Sequence, residues 1–297
     1  MAKGKIMKAL SGFYYVQNSN DHEVYQCRGR GNFRKRGIKP LVGDTVLFEA
    51  ENKTDGYVLE VDERKNELVR PPIANVDQAL LVFSALEPDF SSNLLNRFLV
   101  QIEWNQIETI IIISKVDLLT NEQLTEIEKY QKLYEDIGYK VILTTTNEAQ
   151  SVEKMVPFIR DRISVVAGQS GVGKSSLLNV LQPSLKIKTN EISNHLGRGK
   201  HTTRHVELIS IEKGLIADTP GFSSLDFTGM LPEQLSECFP EMHALSNECK
   251  FRGCSHTSEP QCAVKAGLQT GKVHQERYEH YLQFLEEINN QKRRYDR

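Results

Sequence analysis

No apolar run in these 297 residues approaches the ~18 that a membrane-spanning helix requires. The start, Met1 to Lys8, also lacks the apolar core of a secretory signal, so a cytoplasmic location is the expectation. Cysteine is sparse: there are five, and an odd number with three of them between positions 249 and 262 argues against a secreted disulfide framework. A strong net charge is missing too. With 37 Lys and Arg against 39 Asp and Glu the balance is −2, so any affinity for nucleic acid must come from local patches. Internal repeats and low-complexity tracts do not stand out.

What is present is an ordinary globular composition, 39% hydrophobic and 26% charged, on a chain long enough for a nucleotide-binding domain of roughly 150 residues plus smaller modules. The first seventy residues read as short β segments at Gly12–Val16, Glu23–Arg28, Asp44–Glu49 and Gly56–Val61, separated by glycine turns. Their size and alternation favour a small β-barrel of the OB type; a sandwich or an SH3-like barrel stays open, because periodicity does not fix strand order. Arg28, Arg30, Arg34, Lys35, Arg36 and Lys39 form an acid-free stretch around Phe33. On an OB barrel such a stretch suits an RNA-tracking surface, and a solvated hairpin face is the competing reading. A second basic group, Lys292, Arg293, Arg294 and Arg297, closes the chain. Arg70-Pro71-Pro72 marks a boundary, since two prolines end any strand or helix.

Beyond it, apolar runs alternate with amphipathic segments. Strands are predicted at Ala79–Ser84, Thr109–Ser114, Lys140–Thr144, Ile163–Ala167 and Leu215–Asp218, and helices at residues 91–104, 121–137 and 174–181. Continuous apolar strands suit a parallel sheet covered by helices on both faces. After about residue 229 the chain is loop-rich, then helical from Glu276 to Lys292, with Tyr281, Phe284, Leu285 and Ile288 on one face.

The chemistry sits at strand ends. Gly168, Gln169, Ser170, Gly171, Val172, Gly173, Lys174 and Ser175 spell G-x-x-x-x-G-K-S between a buried strand and a helix. Backbone N–H groups of such a loop close around phosphates, Lys174 reaches the β- and γ-phosphates, and the Ser175 hydroxyl ligates Mg²⁺; Ser176, next in line, is counted with the nucleotide contacts. Asp218-Thr219-Pro220-Gly221 follows a strand, as a Mg²⁺-holding carboxylate should, with the Gly221 N–H toward the γ-phosphate. The polar, glycine-bearing stretch Asn194 to Arg204 between them has the character of a switch, with Thr203 sensing Mg²⁺ and Thr202 the alternative.

Ser114, Lys115, Val116 and Asp117 read as a guanine-recognition loop, because a carboxylate accepts two hydrogen bonds from guanine and repels adenine. An ordinary strand end entering a helix is the other reading, and Thr144-Thr145-Thr146 is a candidate for the rest of the base pocket. This loop precedes the phosphate loop, the reverse of the usual order, as in a GTPase cut and rejoined elsewhere. Cys249, Cys254, His256 and Cys262 supply three thiolates and an imidazole, the composition of a closed structural zinc site. Cys27 and Cys238 read as small core residues.

Taken in order, these motifs resemble the RsgA (YjeQ) family of circularly permuted GTPases, and the likeness spans essentially the whole chain. The resemblance implies an OB-fold RNA-binding domain over residues 1–70 that contacts 16S rRNA and a permuted GTPase domain over 71–228. It also implies a mainly helical zinc-binding domain over 229–297 that helps dock a monomer on the 30S ribosomal subunit. GTP hydrolysis with Mg²⁺, slow alone and stimulated by the subunit, is the implied activity. Phe222 stands where a Ras-like enzyme places a water-orienting glutamine, and an apolar side chain cannot orient water. His201, beside the switch threonines and similar to the family's catalytic histidine, becomes the candidate, acting with Lys174 and Thr203. Two other classes fit parts of the pattern: a P-loop ATPase or kinase, which has no use for Asp117, and an RNA-binding scaffold that does not turn nucleotide over. Because the segment after Gly221 runs straight into the zinc module, connectivity suggests that the zinc module answers to the switch.

Overall fold

Alternating apolar residues build the first five strands: β1 (Ala2–Leu10), β2 (Phe13–Asn18), β3 (Val24–Gly29), β4 (Thr45–Asn52) and β5 (Asp55–Val61). In the computed structural model, which describes residues 1–31, 33, 37–68, 71–145, 149–183, 206–218 and 225–295, these strands close into a ring. β1 pairs with β2, β2 with β3, β3 in parallel with β5, β5 with β4, and β4 back with β1. That order is an OB barrel, which removes the sandwich and SH3-like readings. Ile6, Val16, Cys27, Val46, Phe48 and Val58 fill it. The sequence reading missed β1, because Lys3, Lys5 and Lys8 hide its apolar residues, and a bulge between Ile6 and Lys8 breaks the alternation.

The short pair β6 (Glu67–Leu68) and β7 (Ile73–Ala74) brackets the diproline. The α/β part then runs β8 (Gln78–Ser84), α1 (Ser92–Trp104), β9 (Glu108–Ser114), α2 (Asn121–Ile137), β10 (Lys140–Leu143), α3 (Ala149–Glu153) and α4 (Val156–Ile159). It continues through β11 (Ile163–Ala167), α5 (Lys174–Leu181), β12 (Glu207–Ile211) and β13 (Gly214–Asp218). The C-terminal part holds α6 (Pro232–Leu235), α7 (Pro240–Ser246), α8 (Ala263–Thr270) and α9 (Gln275–Tyr295).

The chain divides into two compact units, residues 1–82 with 144–223, and residues 83–143 with 224–297. In the first, β8 and β13 flank β11 in parallel, and β12 pairs antiparallel with β13. β12 also meets the barrel strand β1, with Lys8 opposite Glu207 and their side chains paired at 2.7 Å. Gln78, fully buried, donates to the Phe158 carbonyl at 2.6 Å and to Ser164 Oγ at 2.9 Å, fixing the start of β8.

In the second unit β9 and β10 run parallel. Thr120 and Gln123 form a capping box at the start of α2, and Gly138 (φ 115°) ends it. The C-terminal helices pack around Phe227, Phe239, Met242, Tyr281 and Phe284, a core that also takes in Val100 of α1. Polar ties are dense here. Arg97 pairs with Glu287 through 2.5 and 2.7 Å contacts and lies over the rings of Phe227 and Phe284. Arg277, 1% exposed, holds Glu241 in a bidentate pair at 2.6 and 2.9 Å and donates to Asn96 Oδ1 at 2.6 Å. The Tyr134 hydroxyl donates to the same Asn96 oxygen at 2.9 Å. Burial opposes the charge on Arg277, yet the adjoining Glu241 keeps its pKa above the ordinary arginine value.

Candidate functional site

Gly168 leaves β11 with φ 132°, a conformation open to glycine, and a Cβ there would lie 2.0 Å from the Val82 carbonyl oxygen. Gly171 (φ 85°) and Gly173 (φ 93°) make the next turns of the loop, with Gln169, Ser170 and Val172 between them. Val172 is fully buried and pins the loop to the unit. Gly173 caps α5, so the first N–H groups of that helix, those of Lys174, Ser175 and Ser176, have no intrahelical acceptor. This is an anion cradle by construction. Lys174 folds over it, its ammonium donating to the Gly168 carbonyl at 2.9 Å and to that of Gln169. Burial pulls the Lys174 pKa down to about 8. A phosphate offers the counter-charge that these neutral carbonyls do not. Ser175 is buried on the first turn, where a hydroxyl meets a cation held by phosphate.

The base-reading candidates lie in the second unit. Ser114 is 2% exposed, ends β9 and donates from Oγ to the Phe83 carbonyl at 3.1 Å, while its own carbonyl accepts from Ala85 N–H at 2.9 Å. Its hydroxyl therefore fastens the loop to the strand. Lys115 takes a left-handed conformation (φ 61°) and its ammonium donates to the Glu87 carbonyl. Val116–Leu118 form one 3₁₀ turn that carries Asp117 on the surface. Thr144 and Thr145 are buried at the end of β10, in the stretch assigned to the first unit.

His201, Thr202, Thr203, Gly221 and Phe222 fall outside the described residues, as do Thr146 and the side chain of Asp218. Of the basic stretch, Arg34, Lys35 and Arg36 lie outside as well, while Arg28, Arg30 and Lys39 are exposed on the barrel. Arg28 sits 5.0 Å above the Phe13 ring and Arg30 pairs with Glu49 at 2.6 Å. The buried carboxylate of Asp44 binds Arg64 at 2.7 and 2.8 Å and accepts from Leu41 N–H at 2.7 Å. Arg64 in turn holds the Lys39 carbonyl at 2.7 Å, which anchors the basic loop where it rejoins the barrel.

The cysteine cluster is fully assembled. The ligand atoms of Cys249, Cys254, His256 and Cys262 all lie within 4.8 Å of one another. Cys249 and Cys262 Sγ are 3.9 Å apart, and His256 Nδ1 is 3.7 and 3.4 Å from them. A tetrahedron with ~2.3 Å zinc–sulfur bonds has sulfur–sulfur edges of ~3.8 Å, so the four groups fit one structural zinc ion. The frame is built for it: Ala263 N–H donates to Cys249 Sγ at 3.3 Å, and Tyr278 and Tyr281 hold the His256 and Ser255 carbonyls at 2.6 and 2.7 Å. Glu259 caps the loop through the Ser255 and Thr257 N–H groups. Burial opposes its charge, but those hydrogen bonds hold its pKa at about 2. Cys27 and Cys238 are buried and stand outside the ligand set, as small core residues.

The RsgA GTPase family profile matches residues 61–228, and that of the RsgA N-terminal domain matches residues 3–58. The chain belongs to the RsgA GTPase family. It is 64% identical to the small ribosomal subunit biogenesis GTPase RsgA of Halalkalibacterium halodurans over 99% of both chains. To the Bacillus subtilis protein of that name it is 55% identical, over 99% of this chain and 100% of the other. The crystal structure of YloQ, described as a circularly permuted GTPase, superposes with TM-score 0.86 at 50% identity over 98% of this chain and 96% of its own. YjeQ from Thermotoga maritima gives 0.87 at 33% identity, over 97% of this chain and 98% of its own. As an RsgA GTPase the chain is a GTP hydrolase, which makes Mg²⁺ the ion that accompanies its nucleotide. The ATPase or kinase reading and the non-hydrolysing scaffold both fall away.

Membership of the RsgA family does not by itself reveal the residues that carry the zinc module. Among the described residues it packs on α1 and α2, through Arg277, Asn96, Tyr134 and the Arg97–Glu287 pair.

Proposed function

We propose that this chain hydrolyses GTP while bound to the 30S ribosomal subunit and assists its late maturation, acting as a cytoplasmic monomer. The observation that carries the reading is the end-to-end likeness to proteins named small ribosomal subunit biogenesis GTPase, across barrel, permuted GTPase part and zinc cluster alike. Three modules divide the work. Residues 1–70 contact 16S rRNA through Arg28, Arg30, Arg34, Lys35, Arg36 and Lys39; residues 71–228 bind and hydrolyse GTP; residues 229–297 dock through the zinc-stapled helices.

In the middle module the N–H groups of Gly168 to Ser176 and the Lys174 ammonium hold the β- and γ-phosphates, and the Gly221 N–H faces the γ-phosphate. Ser175, Thr203 and Asp218 would hold Mg²⁺, which neutralises charge developing on the phosphoryl oxygens. Asp117 reads guanine, with Lys115 and Val116 shaping the loop and Ser114 fastening it. His201 orients the attacking water, since Phe222 has no polar atom to do so. No zinc ligand takes part in chemistry: four protein ligands leave no open position.

GTP turnover of the wild type and of His201→Ala, each with and without 30S subunits, tests the reading. Strong stimulation of the wild type and its loss in the variant are expected. Equal turnover with and without subunits would overturn the assignment to the small subunit; undiminished stimulation of the variant would remove His201 from the mechanism.

A further inference from the structure

The second unit holds a polar pocket that the GTPase chemistry does not use. It has a volume of about 350 Å³ and is lined by Glu103, Glu108, Thr109, Gly138, Tyr139 and Pro240, among others. It opens where β9 begins, whereas Ser114 to Asp117 lie where β9 ends. Seven strand residues at ~3.3 Å each put roughly 20 Å between the two, so no guanine contact reaches it.

Three features give this pocket one electrostatic sign. The helices α1 and α2 both end at its wall, through Gln106 on one side and Ile137 with Gly138 on the other, and helix C-termini carry partial negative charge. Glu103 is a half-buried carboxylate whose pKa is raised by burial and by Glu241, while Tyr139 and Arg277 act in the opposite sense. Arg277 is committed to Glu241 in a bidentate pair, so one guanidinium serves two carboxylates and this buried group is short of a cation. Thirdly, Thr109 and Tyr139 are only 5% and 8% exposed, and the Thr109 hydroxyl is buried with no hydrogen-bond partner among the described residues. The Tyr139 phenol interacts with the Glu103 carboxylate, which takes its O–H and leaves the phenol oxygen's lone pairs for a donor. A buried hydroxyl left unmated is costly and marks a place where a polar partner is expected.

We propose that this pocket binds an organic cation, a guanidinium or primary ammonium group, whose N–H donors are taken by Glu103, Thr109 Oγ1 and the Tyr139 oxygen. A divalent metal suits it poorly: among the described residues the cysteine cluster is the only group of potential ligands that converges within metal range. The shape and acceptor set match the end of an arginine or lysine side chain on a protein partner, or the end of a free polyamine.

The zinc-loaded full-length protein is titrated by calorimetry with three probes: a blocked arginine dipeptide, spermidine, and the blocked citrulline dipeptide, which is uncharged but otherwise matches the arginine. Hydrogen exchange of residues 105–109 and 138–140 locates any binding. Saturable binding of a cation with protection of those residues, absence of citrulline binding, and a loss of about tenfold or more in Glu103→Gln are expected. Tighter binding of the arginine dipeptide makes a protein side chain the natural occupant, and tighter binding of spermidine a free polyamine. Binding that is absent, matched by citrulline, or unchanged in Glu103→Gln overturns the proposal and leaves a water-filled crevice. If Glu103→Gln does not fold, Thr109→Val, which keeps the shape and removes one acceptor, must weaken the arginine dipeptide in its place.

Discussion

Lys174 joins charge and burial at one atom, over the Gly168–Ser175 loop. With burial holding its pKa near 8, the protein free of nucleotide loses the ammonium as pH rises through 8, whereas bound phosphate favours the charged form. The apparent Kd for GTP is therefore expected to rise above pH 8, by up to about tenfold per pH unit, in a fluorescent-nucleotide titration. For stability the sign is opposite. A lysine whose folded pKa lies below its unfolded value penalises folding while charged, so the nucleotide-free protein gains stability as pH rises from about 8 toward the unfolded value of 10.5. Lys174→Met is expected to weaken GTP about 100-fold, the loss of charge-assisted hydrogen bonds of ~3 kcal/mol. Gly168→Ala tests the backbone in the same loop: the new methyl meets the Val82 carbonyl at 2.0 Å in a conformation that already disfavours a side chain. A loss of at least ~2 kcal/mol in urea unfolding, with loss of nucleotide binding, is the expected outcome.

Among the elements, α9 does the most joining. Its apolar face, Tyr281, Phe284, Leu285 and Ile288, was legible as a helical stripe, and all four residues are buried. What the stripe packs against was not legible, because Arg277 finds Asn96 and Ser92 finds Glu276 across more than 180 positions of sequence. No local pattern encodes such pairs; only the closed fold does. Motifs confined to a short stretch, the phosphate loop and the zinc ligands, were by contrast readable because their geometry is local. β12 went unread since Glu207 and Ser210 interrupt its apolar run, and β1 because lysines alternate along it. Arg277→Met is expected to cost about 3–5 kcal/mol, since Glu241 is left buried and uncompensated, while Arg277→Met combined with Glu241→Leu recovers much of the loss. Urea unfolding of the single and double variants measures both. Removing zinc with a chelator is expected to melt the 249–262 loop first, seen as loss of exchange protection there and release of three titratable thiols.

At the scale of the whole molecule, each unit is assembled from two separate stretches of chain, 1–82 with 144–223 and 83–143 with 224–297. A protein truncated after residue 223 is therefore expected to keep a protected barrel and phosphate loop while residues 83–143, deprived of Arg277 and the α9 face, exchange freely; hydrogen exchange by mass spectrometry checks this. If residues 83–143 stay protected in the truncated protein, the pairing of α1 and α2 with α9 contributes little. The same interleaving sets a timetable for synthesis. A chain emerging N-terminus first can close its barrel once residue 61 is out, yet Asn96 of α1 waits for Arg277, near the end of translation. The nascent protein thus completes its barrel early, while the unit that joins residues 83–143 to 224–297 can close only when the polypeptide is almost complete.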